Sequence, residues 1–148
     1  DKALKTRLEA IRRAGAIRMG LANRAEDVGF ASPRIAVVAA PIEFTALNDE
    51  IIAPDTQDLT VRVISGGDAL SASPLTSAMC LAAASKIEGT LPHSLATKNA
   101  SDVRIGNPSG VLSVGAEVIR EDGEWTTLLT RSYRTQRRLM EGMVLVPA

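Results

Sequence analysis

The sequence is poor in the groups that staple or metallate a small domain. It holds one cysteine, Cys80, among 148 residues, which excludes an internal disulfide framework. It also holds one histidine, His93, so no Cys and His set with zinc-finger spacing can be assembled. Net charge is absent as well: 17 basic residues balance 17 acidic ones, and no global field draws the chain to nucleic acid or to an anionic membrane. The densest basic run, Arg131, Arg134, Arg137 and Arg138, has no interleaved aromatics and reads as solvated strand or turn surface. No apolar stretch approaches the ~20 residues needed to cross a bilayer, and the N-terminus lacks the apolar core of a secretory signal. A soluble, reducing, cytoplasmic setting is the expectation. With no initiator Met before Asp1, a fragment, a processed product or an isolated domain is expected.

What is present suffices for one domain. A chain of 148 residues can bury roughly 70% of its unfolded surface, enough for a single core without staples. From residue 2 to about 21, Leu4, Leu8, Ile11, Gly15 and Met19 recur at spacings of three and four, which predicts an amphipathic helix. Gly15 and Gly20 weaken it by about 1 kcal/mol each, a cost that suggests close packing against a neighbour.

After a polar loop over 23–29, Pro33 precedes an apolar, β-branched run at 34–39, read as a strand buried on both faces. Residues 41–58 look irregular, and 59–64 alternate as a second strand. That strand ends in a Gly- and Ser-rich loop, 65–77, which opens a helix over about 78–87. Pro74 suits the first helical turn, where a missing N–H costs nothing. The helix is small and apolar except at Lys86, so the composition predicts that it is wrapped on all sides.

Gly89 ends the helix, and the remainder reads as β. A strand at 103–105 leads to the turn 106–110, and strands at 111–120 and 124–133 flank Asp122-Gly123, a type I′ hairpin signal. Residues 143–146 read as a last strand. No internal repeat or low-complexity tract occurs. These elements predict an α+β fold, a curved antiparallel or mixed sheet around one buried helix, with the N-terminal helix outside. Successive strands without intervening helices argue against a doubly wound sheet.

Several stretches together resemble the second half of the PrpF proteins, a family that includes 2-methylaconitate isomerases and 4-oxalomesaconate tautomerases. They are Glu9-Ala10-Ile11-Arg12-Arg13-Ala14, Met19-Gly20-Leu21-Ala22, Pro33-Arg34-Ile35-Ala36, Gly106-Asn107-Pro108-Ser109-Gly110, Arg137-Arg138-Leu139-Met140-Glu141-Gly142 and Val146-Pro147-Ala148. The resemblance covers nearly the whole chain in the right order. It implies a diaminopimelate-epimerase-like fold, in which two similar domains each curl a sheet around a helix and the active site lies between them. This chain would be one wall, residues 1–148 forming a single domain and the N-terminal half being absent. The family's lysine and cysteine that serve proton transfer belong mainly to that absent half, where the main base is expected.

The implied reaction is a cofactor-independent proton shift on a small unsaturated di- or tricarboxylate. It passes through a dienolate-like anion, for which backbone N–H groups at a helix N-terminus are suited. The resemblance and this chemistry make Arg34, Ser65, Gly66, Gly67, Ser71, Thr76 and Ser77 the candidate substrate-binding residues. Arg34 offers a planar fork for a carboxylate, or is a surface arginine at a strand edge. The loop 65–77 is a binding loop or an ordinary glycine-rich turn.

Departures from the family pattern stand at Leu70 and Ser71, where relatives carry a His and a basic residue, at Ser77 in place of Gly, and at Asn107 in place of His. They keep open a noncatalytic binding or assembly module that retains the fold. A two-thiol epimerase or a phenazine-biosynthesis-type isomerase shares the fold, and the missing N-terminal Cys motif of the central helix argues against the epimerase. Cys80, a turn inside that helix, is expected to be inert packing, His93 to be a surface residue, and Trp125 and Tyr133 to pack on hairpin strands. The expected partners are the polycarboxylate, the missing domain and, through the partly apolar cleft wall, a homo-oligomer; neither nucleic acid nor membrane is expected, and no metal or cofactor.

Overall fold

In the computed structural model, which describes residues 1–97 and 101–146, the β-branched stretches pair into one mixed sheet. Strands β1 (Ile35–Ala39), β4 (Leu59–Ser65), β6 (Asp102–Asn107), β7 (Gly110–Glu121) and β8 (Glu124–Ser132) lie in the order β1-β4-β6-β7-β8, and the short β5 (Asp68–Ala69) also pairs with β4. Every neighbouring pair is antiparallel except β4 and β6. That parallel register needs a crossover, and α2 (Leu75–Ala84) with α3 (Leu91–Leu95) supplies it. Strands β2 (Phe44–Thr45) and β3 (Ile51–Ile52) form a separate hairpin within the stretch expected to be irregular.

The long hairpin follows its sequence signal. Asp122 and Gly123 both take positive φ, 49° and 87°, as a type I′ turn demands. Between Glu117 and Val118 the register shifts, leaving Leu128 as the extra residue of a bulge. Bulges bend a strand and raise its twist, and here the sheet curls toward α2. The core is the product: Leu59, Val61, Val63, Val103, Ile105 and Val114 from the sheet meet Ala78, Leu81 and Ala82 from the helix.

Helix α2 is not wrapped on all sides. Ala78, Leu81, Ala82 and Ser85 are buried, whereas Thr76 and Cys80 are exposed on the opposite face. The helix touches β6, β7, β8 and α3, so the concave side of the sheet covers one face and leaves the other open. Strand β1 likewise departs from its reading as doubly buried. It is a sheet edge, with Ala36 and Val37 exposed. Helix α3 falls in a stretch read as β; Thr90 caps it, its side chain accepting from the His93 N–H at 3.2 Å. His93 is half-buried within it.

Helix α1 (Lys2–Arg18) lies outside the sheet, as expected, but its periodicity points the wrong way. The stripe residues Leu4 and Ile11 are each 52% exposed, and nothing stands within 4 Å of a Cβ placed on Gly15. The buried residues are Arg12 and Ala16. Arg12 reaches inward to donate to the Pro33 carbonyl at 3.1 Å and pairs with Glu9 at 2.7 Å. Together Arg12 and Arg13 hold the Glu9 carboxyl down at about 2. The helix stops early, because the Gly20 and Leu21 N–H groups fold back onto the Ile17 and Ala16 carbonyls.

A second ion pair fastens the sheet. Asp58, 3% exposed, accepts from the Arg104 backbone N–H at 2.8 Å and from its guanidinium at 2.8 and 3.1 Å. Burial pushes the Asp58 carboxyl up, and the bonds from Arg104 outweigh it, so it stays below the ordinary carboxylate range. Arg131 of the basic run pairs with Asp102 and Glu117, and Tyr133, half-exposed rather than packed, donates to Asp102 at 2.6 Å. Trp125 is half-buried, with the Arg120 guanidinium 5.3 Å from its ring centre. Among the described residues no helix is long and apolar enough to cross a membrane, and no group of His, Cys, Asp or Glu could hold a metal ion.

Residues 143–146 do not form the expected strand, and no regular element follows β8 among the described residues. Leu139, Met140, Met143, Val144, Leu145 and Val146 are 79–95% exposed along that tail. Residues 147 and 148, which close the last family-like stretch, lie outside the described residues.

Two outcomes are expected. Replacing Asp58 with Ala removes a charged acceptor and strands a buried-strand N–H, so chemical denaturation should show a loss of about 1–3 kcal/mol. The apolar tail should drive self-association of the 148-residue chain, and truncation after Ser132 should reduce it. A strictly monomeric parent in sedimentation at high concentration would contradict this.

Candidate anion-binding site

The first turn of α2 is built to leave donors unused. Pro74 occupies the N-cap and supplies no side-chain acceptor, and the first helical bond runs from the Ala78 N–H to the Pro74 carbonyl at 3.0 Å. The N–H groups of Leu75, Thr76 and Ser77 therefore have no acceptor among the described residues. Uncapped donors at a helix start carry the positive end of the helix dipole.

This turn opens on a cleft of about 290 Å³ between α2, β1 and the end of α1. Thr76, Ser77 and Cys80 line it from the helix, Arg34 and Ala36 from the strand segment, and Met19 from beyond α1. Arg34 is exposed and has no ion-pair or hydrogen-bond partner among the described residues. It is the only charged side chain among the described residues that line the cleft. A guanidinium and the uncapped first turn of a helix on the walls of one partly apolar cleft are groups suited to a small molecule with more than one carboxylate.

The structure brings together three of the seven candidates, Arg34, Thr76 and Ser77. The other four do not line the cleft. Ser65 donates its hydroxyl to the Ala31 carbonyl at 3.2 Å. Gly66 and Gly67, φ 58° and 82°, form the two-residue turn between β4 and β5, a geometry that requires positive φ at both positions. The ring of Phe30 would lie 2.8 Å from a Cβ on Gly66. Ser71 is exposed, and its carbonyl accepts the Ser109 hydroxyl at 2.7 Å. Leu70, one of the departures from the family pattern, packs half-buried against the core.

Cys80 is the main correction. It stands exposed in the cleft rather than packed inert in a core, because α2 turns only one face to the sheet. A helical wheel shows the reason: Thr76 and Cys80 are four residues apart and share the face opposite Ala78 and Ala82. In the native 148-residue chain the single thiol should react with a maleimide at a rate close to that of the unfolded chain. Protection until the chain is denatured would show that the cleft is closed.

Comparison with known proteins shows what the chain is similar to. A family model described as "PrpF protein" matches residues 1–147. The chain is 38% identical over 150 aligned positions to a protein named 2-methyl-aconitate isomerase from Shewanella oneidensis, an alignment covering 99% of this chain and 38% of that protein. A protein of the same name from Cupriavidus necator is 38% identical over 138 positions, covering 90% and 34%. Among solved structures, one titled "Crystal Structure of Methylitaconate-delta-isomerase" superimposes with a TM-score of 0.76 at 27% identity, covering 89% of this chain and 35% of that one. The chain thus spans between 34% and 38% of the length of these relatives.

Proposed function

Since the chain belongs to the PrpF family, we propose that it forms one wall of the active site of a cofactor-independent isomerase, completed by a second domain outside these 148 residues. The substrate is a small unsaturated di- or tricarboxylate of the methylaconitate or oxalomesaconate kind. The observation that supports this reading is one cleft lined by the unpartnered Arg34 and by Thr76 and Ser77, residues of the uncapped first turn of α2. The names of the relatives, which describe isomerases of such acids, support the substrate class.

The chemistry conserves atoms and electrons. A base removes a proton from an sp³ carbon next to the double bond. The electron pair spreads through the conjugated system onto a carboxylate oxygen, and a proton returns two carbons away as the double bond moves. Arg34 binds and orients one carboxylate of the substrate. The N–H groups of Leu75, Thr76 and Ser77, with the two hydroxyls, receive the charge that grows on the other during the transition state. The general base comes from the second domain. Cys80 shares the cleft and is the other titratable side chain in its wall.

A second reading, a noncatalytic binding module, draws on Asn107, whose side chain is occupied by backbone groups. Assay of the full-length protein separates the two. Turnover should appear as a change in the ultraviolet absorbance of the carboxylate-conjugated double bond with 2-methylaconitate or an aconitate analogue. Arg34→Gln should raise KM about 10-fold or more, the loss of one charge-assisted hydrogen-bonding group. No turnover by the intact protein on any of these acids favours the binding module.

A further inference from the structure

The turn between β6 and β7 grips the loop that precedes α2 through two side chains, those of Asn107 and Ser109. Asn107, 5% exposed, ends β6. Its Oδ1 accepts the Ser73 N–H at 3.2 Å and the Ser109 N–H at 3.2 Å, and its Nδ2 donates to the Gly110 carbonyl at 3.0 Å. Beside it the Ser109 hydroxyl donates to the Ser71 carbonyl at 2.7 Å. The loop is therefore clamped at Ser71 and Ser73, immediately ahead of Pro74 and Leu75. The Ser73 hydroxyl is buried without a hydrogen-bond partner, so at that residue the hold on the turn rests on the backbone N–H alone.

A carboxamide is the group this junction needs. Its oxygen offers two lone pairs to two N–H groups, while its NH₂ satisfies a carbonyl, all in one plane. A carboxylate would keep the acceptors but meet the Gly110 carbonyl with a lone pair. An apolar side chain would remove all three of these hydrogen bonds.

The position of the clamp matters because α2 is held unevenly. From Ala78 onward the helix is fixed by packing on the sheet, but its first turn has no side-chain cap. What fixes the direction of the Leu75, Thr76 and Ser77 N–H groups is the loop that feeds them. We infer that Asn107, assisted by Ser109, is a positioning residue for the anion site: it holds the first turn of α2 in register with Arg34 and governs the rate of the isomerisation without touching substrate. The inference rests on the isomerase reading.

Donors that act on charge developed in the transition state differ from groups that bind the ground state. Displacing the first kind lowers kcat and leaves KM nearly unchanged. A shift of about 1 Å in such groups can cost on the order of 100-fold in rate. Loss of the Asn107 clamp should therefore act on kcat, whereas loss of the Arg34 fork acts on KM.

The test uses the full-length protein and four variants, Asn107→Ala, Asn107→Asp, Ser109→Ala and Ser109→Thr, with thermal melts to give the folded fraction and amide exchange over residues 73–77. Expected results are a fall in kcat on the order of 100-fold for Asn107→Ala, with KM within about twofold. Ser109→Ala changes an exposed side chain, so it should fold normally; it should show a smaller fall in kcat and faster exchange at 73–77. Ser109→Thr, which keeps the hydroxyl, should restore both. Asn107→Asp should fall between Asn107→Ala and the parent. Folded variants with parental kcat overturn the inference, as does a loss that tracks only the unfolded fraction, or one that appears in KM alone. A parent protein that turns over none of the acids overturns the isomerase reading and this inference with it, whereas an active parent with unaffected variants overturns this inference alone.

Discussion

The contact between the small face of α2 and the floor of the sheet sets the terms for everything else in this chain. Ala78 and Ala82 are fully buried against a surface of Val and Ile side chains, with Leu81 between them filling the gap. Alanine at these positions lets a helix sit low in a curled sheet; larger side chains would lift it by steric exclusion and force neighbours off their rotamers. Once the helix body is seated, its axis is fixed, and the first turn must emerge at the rim where β1 and the end of α1 stand. The site is thus a consequence of how a core packs. The helix is buried on one side, which stabilises the core, and left open on the other, which lines the cleft.

Much of that framework could be read in the chain. The β-branched runs at 34–39, 59–64 and 103–105, the Asp122-Gly123 turn and the Ala-rich stretch after Pro74 each carry a local signal that survives folding. Helix α3 left no such trace, since five residues cover little more than one turn and cannot display a period. The faces were harder. Periodicity reports which residues gain from burial but not which surface buries them, and α1 shows the difference. Its stripe of Leu4, Ile11 and Gly15 stands open while Arg12 and Glu9 face the fold. The same holds for the tail, where a run of Met, Val and Leu has strand composition and no strand to pair with among the described residues. Strand formation needs a partner's hydrogen-bonding groups, and a strand propensity cannot provide them.

The candidate site was legible in part for a related reason. Thr76, Ser77 and Arg34 are candidates chiefly through the family resemblance, together with chemistry suited to an anion, and all three line the cleft. Gly66 and Gly67 were drawn in by the same glycine-rich signature, yet two-residue turns and anion loops both call for positive φ, and here the turn between β4 and β5 uses it. Cys80 was misjudged because composition treated the helix as uniformly buried. Asn107 stood out in the sequence only as a departure from a family pattern; its three hydrogen bonds to residues up to 34 positions away are a tertiary fact that no local pattern encodes.

The energetics of such a wall define what it can and cannot do. A helix N-terminus stabilises a nearby anion by about 0.3–2 kcal/mol. An enzyme of this kind must lower its barrier by at least ~8 kcal/mol. On the proposed reading Arg34 would help chiefly by binding, because a charge that holds substrate and transition state equally lowers KM without raising kcat. The remaining stabilisation must come from proximity, from a base whose pKa suits carbon acids, and from expulsion of water, and none of these is available to an open cleft. Water competes for the free N–H groups of α2 and screens Arg34 as long as the cleft faces solvent. Closure by a second surface would strengthen the same donors without adding one, since the strength of a hydrogen bond to a developing oxyanion rises as the local dielectric falls. On the proposed reading, a second surface that covered the exposed Met19 at the rim of the cleft would gain from apolar contact while it excluded water from the donors of α2.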